Sequence, residues 1–263
     1  MRTTILMCLI LLAGRPILAQ DDVRQEIESL VKLYHEQGRF TGSVLAATDG
    51  EILYADGVGM ANVEWGIPNT PDTRFRVGSI TKQFTAAVVL QLVSEGRAEL
   101  DDSITRHLPE YRRDTGDRVT LHHLLTHSSG IPSYTSNPDF WDDAHATYKV
   151  DEFVEEYCSG DLDFQPGSEY RYNNSGYFLL GAIIEAVTGN TYAEELQDRI
   201  FDPLGMTGSG YDTHEAIIEK RAIGYTPTYD GLANSAFLLA CSTIRDLASV
   251  GSPGSASASL CRS

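Results

Sequence analysis

The chain has 263 residues and a formal net charge of −17, from 20 basic and 37 acidic side chains. It is long enough for one large domain or two subdomains, and too acidic to expect nucleic acid or an anionic membrane as a partner. Hydrophobic content of 42% with 22% charged residues is ordinary globular composition and excludes wholesale disorder.

At the N-terminus, Arg2 precedes the apolar run Ile5 to Ala13, and Ile17-Leu18-Ala19 ends in a small residue. This pattern predicts a cleavable signal over residues 1–19 and a secreted or periplasmic product. The run is too short for a stable membrane span. Removal of Arg2 and Arg15 with the signal would make the protein two charges more negative. Cys158, Cys241 and Cys261 follow, an odd number. An oxidising compartment permits a disulfide, but the sequence does not choose a pair. Cys158 and Cys241 read more naturally as small buried apolar residues.

Val23, Ile27, Leu30, Val31 and Tyr34 recur at helical spacing before Gly38, which predicts a surface helix over 23–37 laid on a sheet. Asp49-Gly50 between the apolar runs 43–48 and 51–55 predicts an antiparallel hairpin. Gly57-Val58-Gly59 lacks the third glycine and the following helix of a dinucleotide fingerprint.

From Ser79 to Gly96 the text reads as a helix. Phe84, Val88 and Leu92 with Ala87, Leu90 and Val93 give apolar coverage wide enough to expect burial on most sides. Ser79 and Lys82 stand at its start, three residues apart and so on one face. A serine hydroxyl becomes nucleophilic when a neighbour takes its proton, and an amine held in a site that disfavours its charge can do this. Free N–H groups at a helix start would suit a developing oxyanion. The bland alternative is an N-cap serine followed by a solvated lysine. Spacing alone does not decide, because Ser29-Leu30-Val31-Lys32 matches the same pattern inside the first helix. Roughly one such match arises by chance in a chain of this length.

Thr120 is placed to cap a helix carrying His122, His123 and His127. A metal-dependent hydrolase would use such histidines as zinc ligands. However, His122 and His123 are adjacent and point apart, and no His-Glu-x-x-His pattern accompanies them. The expectation is no metal, with the histidines hydrogen-bonding the Ser128-Ser129-Gly130 turn. Residues 131–163 read as loop-rich, with a short helix near 151–158. Pro166-Gly167 marks a turn, and the run Tyr177 to Glu185 predicts a buried helix stopped at Gly189. Thr191 and Glu194 form a capping box for the next helix, which Pro203-Leu204-Gly205 ends. Ser242 is expected to start a last helix, and residues 251–263 are a low-complexity tail outside the domain expected over 20–250.

Five stretches, in order, carry a resemblance. They are Gly78-Ser79-Ile80-Thr81-Lys82-Gln83-Phe84, Leu124-Leu125-Thr126-His127-Ser128-Ser129-Gly130, and Pro166-Gly167 with Tyr172-Asn173-Asn174-Ser175-Gly176-Tyr177. Pro203-Leu204-Gly205-Met206 and Ser242-Thr243-Ile244-Arg245-Asp246-Leu247 complete the set. Together they resemble the serine β-lactamase-related hydrolases: class C β-lactamases, D,D-peptidases and esterases on the same scaffold. The Ser29 match has no such company. The resemblance implies an α/β fold of the β-lactamase/transpeptidase type, an antiparallel sheet flanked by helices. An inserted, mostly helical subdomain would hold Tyr172, with Ser79 in the cleft between the two.

The same resemblance implies roles. Ser79 would be the acylated nucleophile and Lys82 its proton acceptor. Tyr172 would shuttle a proton to the leaving group, and Asn174 would hold Lys82 and the substrate amide. A nearby ammonium lowers a tyrosine pKa, and a neutral amide orients without adding charge, so the chemistry is coherent. The substrate would be a small molecule or peptide with an ester or amide bond, and no cofactor is called for. In one respect the sequence departs from the family. No Lys or His has glycine two residues later, so the third family motif, Lys- or His-x-Gly, is absent. The family's C-terminal strands are accordingly expected to be missing from a truncated or frameshifted product. The alternative function is a non-catalytic relative that binds peptidoglycan-like ligands.

Overall fold

A computed structural model describes residues 17–142, 148–213, 216–228, 231–235 and 241–242. Most of the expected signal, the tail at 251–263 and all but the first residue of the helix expected from Ser242 lie outside the described residues. The chain divides into two compact units. The described residues of 1–75, 217–237 and 242–263 form the first, and those of 76–216 and 238–241 the second.

The first unit begins with helix α1 (Ile17–Glu36) and a hairpin of strands β1 (Gly42–Thr48) and β2 (Glu51–Val58). Helix α1 starts before the boundary expected after Ala19. It packs on β2, as its apolar stripe predicts, but Val31 is the buried member while Leu30, Leu33 and Tyr34 remain exposed. Asp49 and Gly50 both take positive φ, 51° and 81°, which is the turn geometry that matches strand twist. The hairpin runs from Gly42 opposite Val58 to Thr48 opposite Glu51, with an irregularity between Ala46 and Ala47. Gly57 is glycine for a packing reason: a Cβ there would lie 2.4 Å from the backbone of Asn69. Short strands β3 (Met60–Asn62) and β4 (Ile67–Pro68) pair next, and β5 (Phe75–Arg76) leads out of the unit.

The second unit is mostly helical, as expected for the inserted subdomain. A tight turn at Gly78–Ile80 feeds α2 (Thr81–Ser94), followed by the short helices α3 (Ile104–His107), α4 (Arg113–Gly116) and α5 (Leu121–Leu125). Helices α6 (Pro138–Asp142) and α7 (Val150–Tyr157) precede the long α8 (Asn174–Thr188) and the short α9 (Tyr192–Leu196). Helix α2 is less enclosed than its apolar coverage predicts. Phe84, Val88, Val89 and Leu92 are buried, but Leu90 is 51% exposed. The packing centre is α8, which touches α2, α3, α5, α7 and α9. Leu179, Leu180, Ile183 and Ile184 on α8 are all but fully buried, each worth about 1.5–3 kcal/mol of transfer free energy. Gly189 caps α8 in the left-handed conformation, φ 80°, and the Thr191–Glu194 capping box forms as predicted.

Strands β6 (Gly224–Thr228) and β7 (Gly231–Ser235) form a further antiparallel hairpin in the first unit, in a stretch to which the sequence assigned no element. Cys241–Ser242 is a two-residue strand, β8. Cys158 is fully buried with a free thiol, whose pKa burial pushes up to about 12, as expected of a small apolar core residue. Among the described residues no helix is long and apolar enough to cross a membrane.

Candidate active site

Four sequence-predicted residues meet in the second unit. Gly78 takes φ 56°, a left-handed conformation natural to glycine, and turns the chain so that Ser79 precedes α2 with its side chain exposed. Thr81 braces the turn by donating its hydroxyl to the Gly78 carbonyl at 2.7 Å. Ser79 is not an N-cap, since the helix start carries no side-chain capping bond. Its Oγ accepts instead from Lys82 Nζ at 3.4 Å and from the Tyr172 hydroxyl at 2.6 Å. Ile80 donates its N–H to the Val77 carbonyl at 3.2 Å, so that amide is committed within the turn.

Lys82 is held more tightly by its other neighbour. Nζ donates to Asn174 Oδ1 at 2.8 Å and lies 4.9 Å from the centre of the Tyr172 ring. Asn174 is orientated in turn, because its Nδ2 donates to Thr135 Oγ1 at 3.0 Å, which leaves Oδ1 turned to the lysine. Burial raises the Tyr172 pKa, but the hydrogen bonds to Lys82 and Ser79 and the lysine charge outweigh it. The net displacement is below the ordinary tyrosine value of 10.0. A phenol drawn towards its anion, in contact with a serine hydroxyl, is equipped to accept that hydroxyl's proton.

The surroundings explain why these groups stay together. Asn173 is buried, caps α8 by accepting the Gly176 N–H at 2.6 Å, and donates Nδ2 to the Ile131 carbonyl. Ser175 is also buried. Its Oγ donates to the Pro132 carbonyl at 2.8 Å and accepts from the Tyr134 N–H at 2.9 Å. Ser133 Oγ accepts the Asn174 N–H at 3.2 Å. The loop that supplies Thr135 is therefore stitched to the first turn of α8. A cleft of about 470 Å³ opens beside Tyr172, lined among others by Ser133, Ser136, Asn137, Asp163 and Arg171.

One histidine meets the expected turn through its backbone, the His123 carbonyl accepting the Ser128 N–H at 2.9 Å, while the rings have other partners. His123 accepts the Thr120 N–H on Nδ1 at 3.2 Å and so serves its own helix start. His127 does not bond the Ser128–Gly130 turn through its ring. Its Nδ1 accepts the Asn173 N–H at 3.2 Å, and its ring lies 4.7 Å from Tyr172 and 5.0 Å from Tyr177. Burial and then the Lys82 charge lower its pKa below the ordinary imidazole value. Among the described residues no three His, Cys, Asp or Glu side chains are grouped to hold a metal ion. Thr135, Ser133, Ser175 and this role of His127 were not singled out in the sequence. Their partners lie some forty residues away, and no local spacing announces them. The decoy pair, Ser29 and Lys32, sits exposed on α1 in the first unit.

Residues 23–260 match the Beta-lactamase family profile. Esterase EstB of Burkholderia gladioli is 36% identical over 208 residues, which are 71% of this chain and 50% of that protein. A penicillin-binding protein from Bacillus halodurans superimposes with a TM-score of 0.75 at 30% identity, covering 84% of this chain and 71% of its own. A D-amino acid amidase from Ochrobactrum anthropi SV3, solved with L-phenylalanine amide, superimposes with a TM-score of 0.73 at 30% identity. That match covers 86% of this chain and 68% of the amidase. The chain spans about half the length of the curated relatives it matches.

Proposed function

The chain belongs to the Beta-lactamase family, and from that membership we propose that it is a serine hydrolase that cleaves an ester or amide through an acyl-enzyme on Ser79. Its fold is the β-lactamase/transpeptidase fold, and its family is one of hydrolases with esterase, amidase and β-lactamase members. One observation supports the finer reading above all others. Ser79 Oγ is hydrogen-bonded to both Lys82 and Tyr172, while Asn174 holds the lysine.

In the proposed reaction Ser79 Oγ attacks the substrate carbonyl carbon as its proton passes to a base. The sequence favours Lys82 for that role, but the distances favour Tyr172, at 2.6 Å against 3.4 Å. Lys82 then acts as the charge that makes the phenolate accessible, and Asn174 keeps the ammonium in place. Collapse of the tetrahedral adduct breaks the ester or amide bond, and Tyr172 returns its proton to the departing oxygen or nitrogen. Water repeats the sequence on the acyl-serine and releases the acid. The cleft beside Tyr172 is the proposed place for one side of the substrate. Export directed by residues 1–19 belongs to the same proposal.

The non-catalytic alternative rests on the absence of a Lys- or His-x-Gly sequence. Hydrolysis of p-nitrophenyl acetate separates the two readings. The hydrolase reading expects turnover that disappears in Ser79→Ala and survives in Ser29→Ala. Turnover that persists in Ser79→Ala would defeat it, as would a folded wild-type protein without turnover.

A further inference from the structure

We propose that His127 is the positioning residue for Tyr172, holding it through a ring nitrogen that must stay unprotonated. The inference rests on the reading that Tyr172 takes the Ser79 proton. His127 grips the chain on both sides of Tyr172. Its carbonyl accepts the Arg171 N–H at 2.9 Å, and its Nδ1 accepts the Asn173 N–H at 3.2 Å. Its ring stands between those of Tyr172 and Tyr177, tilted at 39° and 35° to them.

The backbone of His127 is itself unusual. Its φ is 57°, a left-handed conformation uncommon outside glycine, asparagine and aspartate. That conformation combines with a carbonyl bonded to Arg171 and a ring nitrogen bonded to Asn173. Tyr172 is 45% exposed, and its other holds are the bond of its hydroxyl to Ser79 and the Lys82 ammonium 4.9 Å from its ring centre.

Because a backbone N–H can only donate, Nδ1 must accept, and the imidazole is neutral with its proton on Nε2. Protonation at Nδ1 would set two donors against each other and leave the buried Asn173 without its acceptor. Asn173 is also the N-cap of α8, so the disturbance would reach Asn174 and through it Lys82. The facing groups are the Lys82 ammonium on α2, the Tyr170 and Tyr172 phenols, and the Tyr177 phenol on α8. The nearby Arg171 guanidinium is engaged with Asp163 and Glu169. The one cation named among the facing groups, Lys82, opposes an imidazolium, so the neutral ring persists below the ordinary imidazole value of 6.5.

The test is the pH dependence of fluorophosphonate labelling of the whole protein, followed at the Ser79 peptide. His127→Asn places an amide oxygen where Nδ1 stood and suits the left-handed backbone. His127→Gln offers its oxygen near the place of Nε2 instead. Beneath the fall that loss of the phenolate imposes, the wild-type rate should steepen into a further acid limb at a pH below 6.5. His127→Asn should abolish that acid limb. His127→Gln should be slower by roughly tenfold across the range, the worth of about one hydrogen bond, with His127→Asn recovering much of the loss. Circular dichroism checks that each variant is folded, and should His127→Gln fail to fold, the acid limb of His127→Asn decides. An acid limb unchanged in His127→Asn, with Ser79 still labelled, overturns this inference and leaves the hydrolase reading intact. A folded wild-type protein that takes no label at any pH overturns both.

Discussion

Ser79 owes its proposed reactivity to the pairing of a cation with a phenol over one hydroxyl. Lys82 both donates to Ser79 and draws the Tyr172 pKa down against the upward pull of burial. Lys82→Met should therefore let burial prevail and lift the Tyr172 pKa above 10.0. The rate of Ser79 labelling climbs as the phenol ionises, so its alkaline rise should move to higher pH in the variant. An unmoved alkaline limb would show that Tyr172 is not the base. The Ser79–Lys82 pair is legible in the sequence because both residues occupy one helical turn, where spacing translates directly into proximity. Tyr172 and Asn174 were legible only through the family resemblance, since 93 and 92 residues separate them from their partners in the site. His127 was visible as a residue but misread. Its left-handed φ and its bond to Asn173 are set by packing that no local pattern records.

Helix α8 matters to the site through its first turn more than through its length. Asn173 and Thr191 are both N-caps, but only Asn173 also ties a carbonyl of the opposing loop, Ile131, to the helix that carries Asn174. Replacing either by alanine should cost about 1 kcal/mol or more in urea denaturation. Asn173→Ala should additionally slow Ser79 labelling, whereas Thr191→Ala should leave it unchanged. Equal labelling in the two variants would contradict this account of how the site is held. At this scale the sequence was informative wherever a turn residue has one structural use. The Asp49-Gly50 hairpin, the Gly189 stop and the Thr191–Glu194 box all formed as predicted. The hairpin over 224–235 was missed although Asp230-Gly231 repeats the signal of Asp49-Gly50, because Pro227 and polar neighbours dilute the apolar alternation. Helix α6 was missed for a different reason. Its five residues are too few for a period, and Phe140 is anchored by rings from Tyr134, Phe153 and Tyr157.

For the molecule as a whole, the formal charge of −17 sets the field that any substrate must enter. An anionic acyl donor such as a penicillin should acylate faster as salt screens that field, while a neutral ester should respond little. Acylation by penicillin that slows with added salt would show that a local cationic surface overrides the net charge. Length alone left the division into two units open, and the family resemblance supplied the inserted, mostly helical one. Which residues return to the first unit after Ala216 depends on long-range pairing that composition does not encode. The central claim is that Ser79 is the activated nucleophile, and the most direct measurement is intact mass before and after exposure to a fluorophosphonate, followed by peptide mapping. The account predicts a single adduct on the peptide containing Ser79. A folded protein that takes no adduct, or carries it on the Ser29 peptide, would contradict it.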